Sequence, residues 1–293
     1  MTSLHTHSLY CDGADDIETL CKAAYEKGLS AIGFSSHAPL NEKIGFDAYW
    51  CMKSNKLSEY CKEVRSAKER WAGKLDVLLA LEVDYIDGLC GPADEDMQKL
   101  KADYAFDYFI GSTHYVVAPG QKLQRGDSAN YGKIIAADSD AAILQKGIDE
   151  LFGGDGELYA EEYYKGLANM CRKGGFEIIG HFDLVKKNND KLHFFDPNSP
   201  RYKQAAMQAV EAAAEAYRRE HIIVEINTGG MNRGFTKEAY PSPAIQKALS
   251  ERGVPFIVTA DAHRAVDLDG GYLNTQAKAY IKANSIKDLP EEV

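Results

Sequence analysis

The chain is poor in the features that would commit it to a membrane, to nucleic acid or to a disulfide scaffold. No apolar run approaches the roughly 20 residues that a membrane helix needs, and the opening MTSLHTHS has neither the basic segment nor the apolar run of a secretory signal. Positive charge is in deficit. At a formal net charge of -10 the protein repels nucleic acid and anionic membrane surfaces at long range, so a phosphorylated ligand would need a local cationic site. The six cysteines, Cys11, Cys21, Cys51, Cys61, Cys90 and Cys171, are scattered without a CxxC pair in a chain too large to depend on disulfide staples. A reducing, cytoplasmic compartment is expected. Only 9 prolines occur, and there are no internal repeats or low-complexity tracts. With 45% apolar residues in 293, one large domain over residues 1–293 is the default.

What is present is a recurring unit. Short apolar or β-branched runs fall at 1–4, 30–34, 76–81, 107–111, 176–180, 222–226 and 255–259, and most lead through a polar turn into helical spacing. Between the first two, Ile17, Leu20, Cys21 and Ala24 share one helical face, Asp15 or Asp16 can cap its start and Gly28 its end. Further helices are predicted at 53–72, with Leu57, Tyr60, Cys61, Val64 and Trp71 inward, and at 158–173, 201–219 and 243–252, the last opening on Pro243. The alternation continues to the end of the chain. It predicts an α/β fold with a parallel sheet of seven strands, closed into a barrel in preference to an open doubly wound sheet. Residues 115–157 lack a clear strand and read as an insertion, a lid over one face.

The histidines give this scaffold its chemistry. Six of the eight, His5, His7, His37, His114, His181 and His263, stand at or just beyond the C-terminal end of a predicted strand. Those ends converge on one face of a parallel barrel. Glu82 in LALEVDY and Asp261 in TADAH hold the equivalent place on strands three and seven. Any one of these alone has an ordinary reading, as a core histidine or a surface acid, but their equivalent positions in successive units point to a shared site. Imidazole with carboxylate suits Zn²⁺, Fe or Mn²⁺, and the lack of clustered thiolates argues against a structural zinc site. Eight or nine ligands exceed what one ion with open positions takes, so two or three divalent ions are implied, with Glu82 as the bridge, and clustered ions suit phosphoester hydrolysis. Asp12 in CDG is either a ligand or a turn residue. His193 and His221 fall outside the pattern and read as structural or surface residues.

The segments HTHSLYCDG, GFSSHAP, ALEVDY, GSTHYV, GHFDLVKK, EINTGG and TADAH, in order from residue 5 to residue 263, resemble the motifs of the polymerase and histidinol phosphatase (PHP) superfamily. GFSSHAPL, YAEEYYKGLANM, GHFDLVKK and EINTGG followed by YPSPAIQKALSERG are most similar to its stand-alone histidinol-phosphate phosphatases of bacterial histidine synthesis. The resemblance implies a distorted seven-stranded (βα)7 TIM-like barrel with a trinuclear centre at the C-terminal strand ends. Carried over, His5, His7, Glu82 and Asp261 serve one ion and its bridge, Asp12, His37 and His263 a second, and His114 and His181 join Glu82 at a third. Asp261, His263 and His37 take catalytic roles, with Asp261 or a nearby histidine protonating the leaving alkoxide. Where the family pattern leads one to expect an arginine after GHFDL, this chain has Lys186 and Lys187, a point charge in place of a fork. Arg125 and Arg264 are further candidate phosphate contacts, as are Arg201 and Arg233.

The expected reaction is therefore hydrolysis of a small phosphorylated metabolite, L-histidinol phosphate first. The alternatives are a nucleotide or sugar phosphate, a phosphotyrosine phosphatase or phosphodiesterase, and a noncatalytic metal-binding module. Neither a nucleic-acid nor a membrane partner is expected, and the oligomeric state is not encoded in any motif.

Overall fold

The computed structural model describes residues 2–269; the expected continuation of the alternation to the C-terminus lies outside the described residues. Seven strands form one parallel sheet: β1 (Thr2–Ser3), β2 (Ala31–Phe34), β3 (Asp76–Asp84), β4 (Tyr108–Ser112), β7 (Ile178–Ile179), β8 (Ile223–Asn227) and β9 (Phe256–Thr259), hydrogen-bonded in that order. Two three-residue strands, β5 (Tyr115–Val117) and β6 (Ile134–Ala136), pair antiparallel apart from it. The large sheet curls until its ends meet. Beyond the last named residues of β1 and β9, Thr6 bridges Ala262, His7 N donates to Ala262 O at 2.8 Å and Ala262 N to His5 O at 3.0 Å. The result is a nearly closed TIM-like barrel.

Strand alternation sorts every second side chain into the barrel. On β3, Val77, Leu79, Leu81 and Val83 face the surrounding helices, whereas Leu78 and Ala80 face inward to meet Leu4, Tyr108, Ile110, Ile178, Ile223 and Ile257. These residues plug the lower barrel. Above the plug the same inward parity carries Glu82 and Asp84 on β3, Ser112 on β4, and Glu225 and Asn227 on β8, all buried. The apolar floor and the polar upper layer are thus successive levels of one pleat.

The helices follow their sequence signals. Asp16 accepts from Thr19 N at 2.7 Å to start helix Ile17–Glu26, Asp155 accepts from Leu158 N to start Gly156–Lys173, and Ser199 with Pro200 opens Pro200–Glu220. Helix Leu57–Trp71 buries Leu57, Tyr60, Cys61, Val64 and Ala67; Trp71, expected inward, is only half-buried, with its indole N–H donating to Glu18. His193 and His221 each adopt the left-handed conformation at a helix C-terminus, a structural role for both.

The insertion is more ordered than its sequence indicates. Within 115–157 lie the β5–β6 hairpin and helix Ala141–Leu151, which corrects the expectation of a stretch without strands. Three residues of alternation are too few to register as a strand before their partner is known. The insertion packs Tyr115 and Ile134 against Leu40, Ile44, Cys51 and Ile86 from the loops after β2 and β3, and Trp50 stacks on Tyr115. Buried Asn130 donates to the carbonyls of Ile44 and Gln124. Residues 115–157 are therefore anchored by a small core shared with those loops.

The floor of the barrel leaves no room at Gly33, where an added Cβ would sit 1.8 Å from the Tyr108 hydroxyl, itself donating to the Leu4 carbonyl. Gly33→Ala is expected to cost about 1–3 kcal/mol through overpacking. Tyr108→Phe in that background should relieve part of the clash, so the double variant loses less stability in urea melts than the two singles summed. Strict additivity would show that the contact is not limiting.

Candidate metal centre

At the C-terminal end of the barrel five of the six strand-end histidines converge on Glu82, and His263 joins them beside Asp12 and Asp261. The Glu82 carboxylate is buried at 1% exposure. One oxygen, Oε2, lies 3.0 Å from His37 Nδ1, 3.3 Å from His5 Nε2 and 3.5 Å from His7 Nε2. The other, Oε1, accepts from Ser112 Oγ at 2.6 Å and from His181 Nε2 at 2.9 Å, and lies 3.5 Å from His114 Nε2. Asp261 Oδ1 is 3.2 Å from His7 Nε2 and 3.7 Å from His5 Nε2. Asp12 approaches His263 Nε2 at 3.3 Å and both His7 Nδ1 and His37 Nε2 at 3.7 Å. Tight packing of Gly13 against the His7–Ser8 backbone, where a Cβ would lie 2.5 Å from Ser8 N, turns Asp12 toward them.

Three clusters in this array have donor atoms close enough together to hold a metal ion: His5, His7 and Asp261; His7, Asp12, His37 and His263; and His37, Glu82 and His114. His7 and His37 each belong to two, so the grouping is more interlocked than the division drawn from the family resemblance, and His181 meets the array through Glu82. The donor set fits divalent ions on a further count. His5 Nε2, His7 Nε2 and His37 Nδ1 are buried and lie close to carboxylate oxygens without hydrogen-bond geometry, which leaves their lone pairs without a protein partner.

Outer carboxylates aim these rings. A carboxylate can only accept, so His5 Nδ1 donates to Glu225 at 2.8 Å and presents Nε2 inward, while His114 Nδ1 donates to Asp84 at 2.9 Å and does the same. Glu225 also accepts from His181 N, Asn227 Nδ2 and Thr259 Oγ1, four donors in all. Sequence reasoning missed both acids, though each carried a signal: Asp84 shares the face of Glu82 two residues on, and Glu225 is a lone acid inside the apolar run IIVEIN.

Electrostatics follow from burial and these pairings. Burial alone would lower His114, but the carboxylates of Asp84 and Glu82 outweigh it and push it up to about 10. His5 and His37 are raised against the same penalty, His5 by Glu225, Glu82 and Asp261, and His37 by Glu82 and Asp12. His7 goes the other way, down to about 3, because burial is joined by the charges of His263 and His37. Burial opposes ionisation of Glu82 and Asp261, yet their cationic neighbours hold both well below the ordinary carboxylate range.

The array opens into a cavity of about 380 Å³, a size suited to small molecules, whose outer wall includes Asp138, Ser139, Asp140 and Ile143 of the 115–157 segment. Among the described residues one lysine and one arginine line it, Lys187 and Arg233. Arg233 lies 2.8 Å from His263 Nδ1 and donates to Asp261 Oδ2 at 3.2 Å, and its buried Nε–H has no partner. It stands on the loop after β8, where no periodicity marks it. The other basic candidates are elsewhere: Arg125 pairs with Asp96 and Arg264 with Asp267 on the exposed surface, and Arg201 pairs with Asp155 and Glu161. Lys186 points away from its neighbour, into an ion pair with Asp183 and Glu238 beside a separate cavity. Adjacent lysines on one short turn diverge, so only one of the pair reaches the site.

The model of the PHP domain family matches residues 3–229. A protein of Deinococcus radiodurans named as a probable histidinol-phosphatase is 31% identical over 89% of this chain and 85% of its own length. The histidinol-phosphatase of Bacillus subtilis is 24% identical, covering 92% of this chain and 95% of its own. In fold, the crystal structure of hisK from Listeria monocytogenes superposes with a TM-score of 0.77 at 23% identity, over 94% of this chain and 100% of that one. A histidinol phosphate phosphatase from Lactococcus lactis, solved with zinc, L-histidinol and phosphate, gives 0.64 at 17% identity, over 98% and 95%.

Removing the charge of Glu225 tests the outer shell. Glu225→Gln turns an amide N–H₂ toward donors that need an acceptor, and is expected to weaken retention of divalent metal about 10–100-fold in chelator competition, with the far-ultraviolet spectrum unchanged. Equal retention would show that His5 and His181 are held by other means.

Proposed function

The chain belongs to the PHP domain family, and on that premise we propose that it is a metal-dependent phosphomonoester hydrolase converting L-histidinol phosphate and water to L-histidinol and inorganic phosphate. The observation that carries this reading is the convergence of six imidazoles and three carboxylates, Asp12, Glu82 and Asp261, in one array, which lines a cavity through four of those imidazoles beside a partly unpaired guanidinium. The named activities of relatives aligned along most of the chain support the substrate. A cavity of about 380 Å³ behind an anchored lid favours a small metabolite over a phosphorylated protein or a nucleic acid.

His5, His7, Asp12, His37, Glu82, His114, His181, Asp261 and His263 would hold two or three divalent ions. Such ions supply Lewis acidity, lowering the pKa of water toward ~7 and neutralising charge on the phosphoryl oxygens. The protein's own groups complete the site. Arg233 offers planar donors to a phosphoryl group, including the Nε–H that lacks a partner. Its present contact also bears on His263, whose Nδ1 lies 3.0 Å from the Asp261 carbonyl. Arg233 needs a lone pair at that nitrogen, whereas donation to the carbonyl needs a proton there. When Arg233 turns to an anion, Nδ1–H donates to the carbonyl and the Nε2 lone pair is free on the Asp12 side. Asp261, kept ionised by His5 and Arg233, has no proton to give at neutral pH. With His263 in that tautomer, the proton for the departing alkoxide falls to His37, whose protonated form the carboxylates of Glu82 and Asp12 favour.

Purified protein supplied with Mn²⁺ or Zn²⁺ is expected to release phosphate from L-histidinol phosphate with kcat/KM above ~10⁴ M⁻¹s⁻¹, well clear of a phosphomonoester panel and abolished by EDTA. Preference for another ester would move the substrate assignment and keep the reaction; full metal loading without turnover would favour a noncatalytic module. Arg233→Ala should lower kcat/KM about 100-fold or more while metal content is retained, and Arg233→Lys should fall between. Wild-type kinetics in Arg233→Ala would remove the guanidinium from phosphate binding.

A further inference from the structure

We infer that the outer part of the cavity seats the alcohol leaving group and selects esters whose alcohol combines a flat or apolar body with positive charge. The inference rests on the phosphomonoesterase reading and narrows its substrate class.

The inner part of the cavity is taken up by the histidine–carboxylate array and Arg233, which suit the phosphoryl group and not what it is attached to. The outer part has a different chemistry. Among the described residues seven large apolar side chains are exposed, and three of them line this one cavity: Tyr49 at 81% exposure, Ile143 at 59% and Phe235 at 37%. They come from three separate segments, the loop after β2, the 115–157 segment and the loop after β8. Single exposed apolar residues are commonplace, but their convergence on one opening marks a surface that an apolar group covers.

Charge is placed among them. Asp138 and Asp140 line the same wall, and among the described residues the Asp140 carboxylate has no hydrogen-bond or ion-pair partner. Lys187 shows what this corner accepts. Its ammonium lies 4.8 Å from the centre of the Phe235 ring, donates to the Asp138 carbonyl at 2.9 Å and stands 4.0 Å from the Asp138 carboxylate. An aromatic face beside a carboxylate is an arrangement that holds organic cations. Two carboxylates against one ammonium leave a negative charge for a second cation to meet. An imidazole-bearing amino alcohol satisfies both demands, whereas the neutral alcohol of a sugar phosphate satisfies neither.

The test uses two synthetic esters that differ chiefly in charge, phenyl phosphate and 4-(aminomethyl)phenyl phosphate, with the metal-loaded full chain. The wild-type enzyme is expected to have the higher kcat/KM for the ammonium ester, and the ratio of the two should fall about tenfold in Asp138→Asn/Asp140→Asn. Asp140→Asn alone, at an exposed position with no side-chain hydrogen bond or ion pair among the described residues, should lower the ratio about threefold and guards against misfolding of the double variant. A wild-type preference for phenyl phosphate, or a ratio unchanged in folded variants, overturns the inference. L-Histidinol phosphate is assayed beside them. If it is not hydrolysed while the phenyl esters are, the substrate assignment fails, and the ratio still decides whether the subsite reads charge.

Discussion

A carboxylate buried at the mouth of a barrel is untenable by itself, and the upper half of this structure is arranged around meeting that demand at Glu82. Desolvation alone would favour its neutral form, yet imidazoles around it and a hydroxyl from Ser112 hold it ionised. The compensation requires positive charge inside the barrel. Protons on His5, His37 and His114 can supply it, and so can divalent ions, which makes metal uptake an exchange of one set of cations for another. Glu225 and Asp84 extend the logic outward, since each fixes a ring whose inner nitrogen faces Glu82 or Asp261.

That arrangement depends on pleat parity. Leu78 and Ala80 belong to the barrel plug and Glu82 and Asp84 to the site because all four share one face of β3. A slip of one residue would place Leu81 and Val83 among the histidines and expose the acids to the helical layer. The register is thus enforced twice, by apolar packing below and by charge above.

Much of this was legible in the sequence because strand ends are where hydrophobic runs stop, and His5, His7, His37, His114, His181 and His263 each follow such a stop. Helix starts were equally legible where Asp16 supplies a local cap and Pro243 opens the first turn. What escaped prediction depends on contacts distant in sequence. The β5–β6 pair is three residues on each side, visible only once Tyr115 and Ala136 are opposite one another. Lys186 and Lys187 are indistinguishable as letters, and the short turn that sends one to Asp183 and the other to Asp138 is a tertiary fact. Arg233 is one candidate phosphate contact among several in the sequence, because a loop arginine has no periodic neighbours to single it out.

The seam of the barrel also bears on the order in which the chain folds. The pairing of Thr6 with Ala262 joins segments separated by most of the chain, and the ligand candidates flank it on both sides, His5 and His7 with Asp261 and His263. A chain made from its N-terminus therefore exposes two of its metal-seeking histidines long before the residues that complete their cluster exist. Contacts of such sequence separation form late and slowly. Until then HTH is an open chelating pair, free to bind the wrong ion or the wrong chain, and closure of the barrel is the step at which this polypeptide acquires a defined centre.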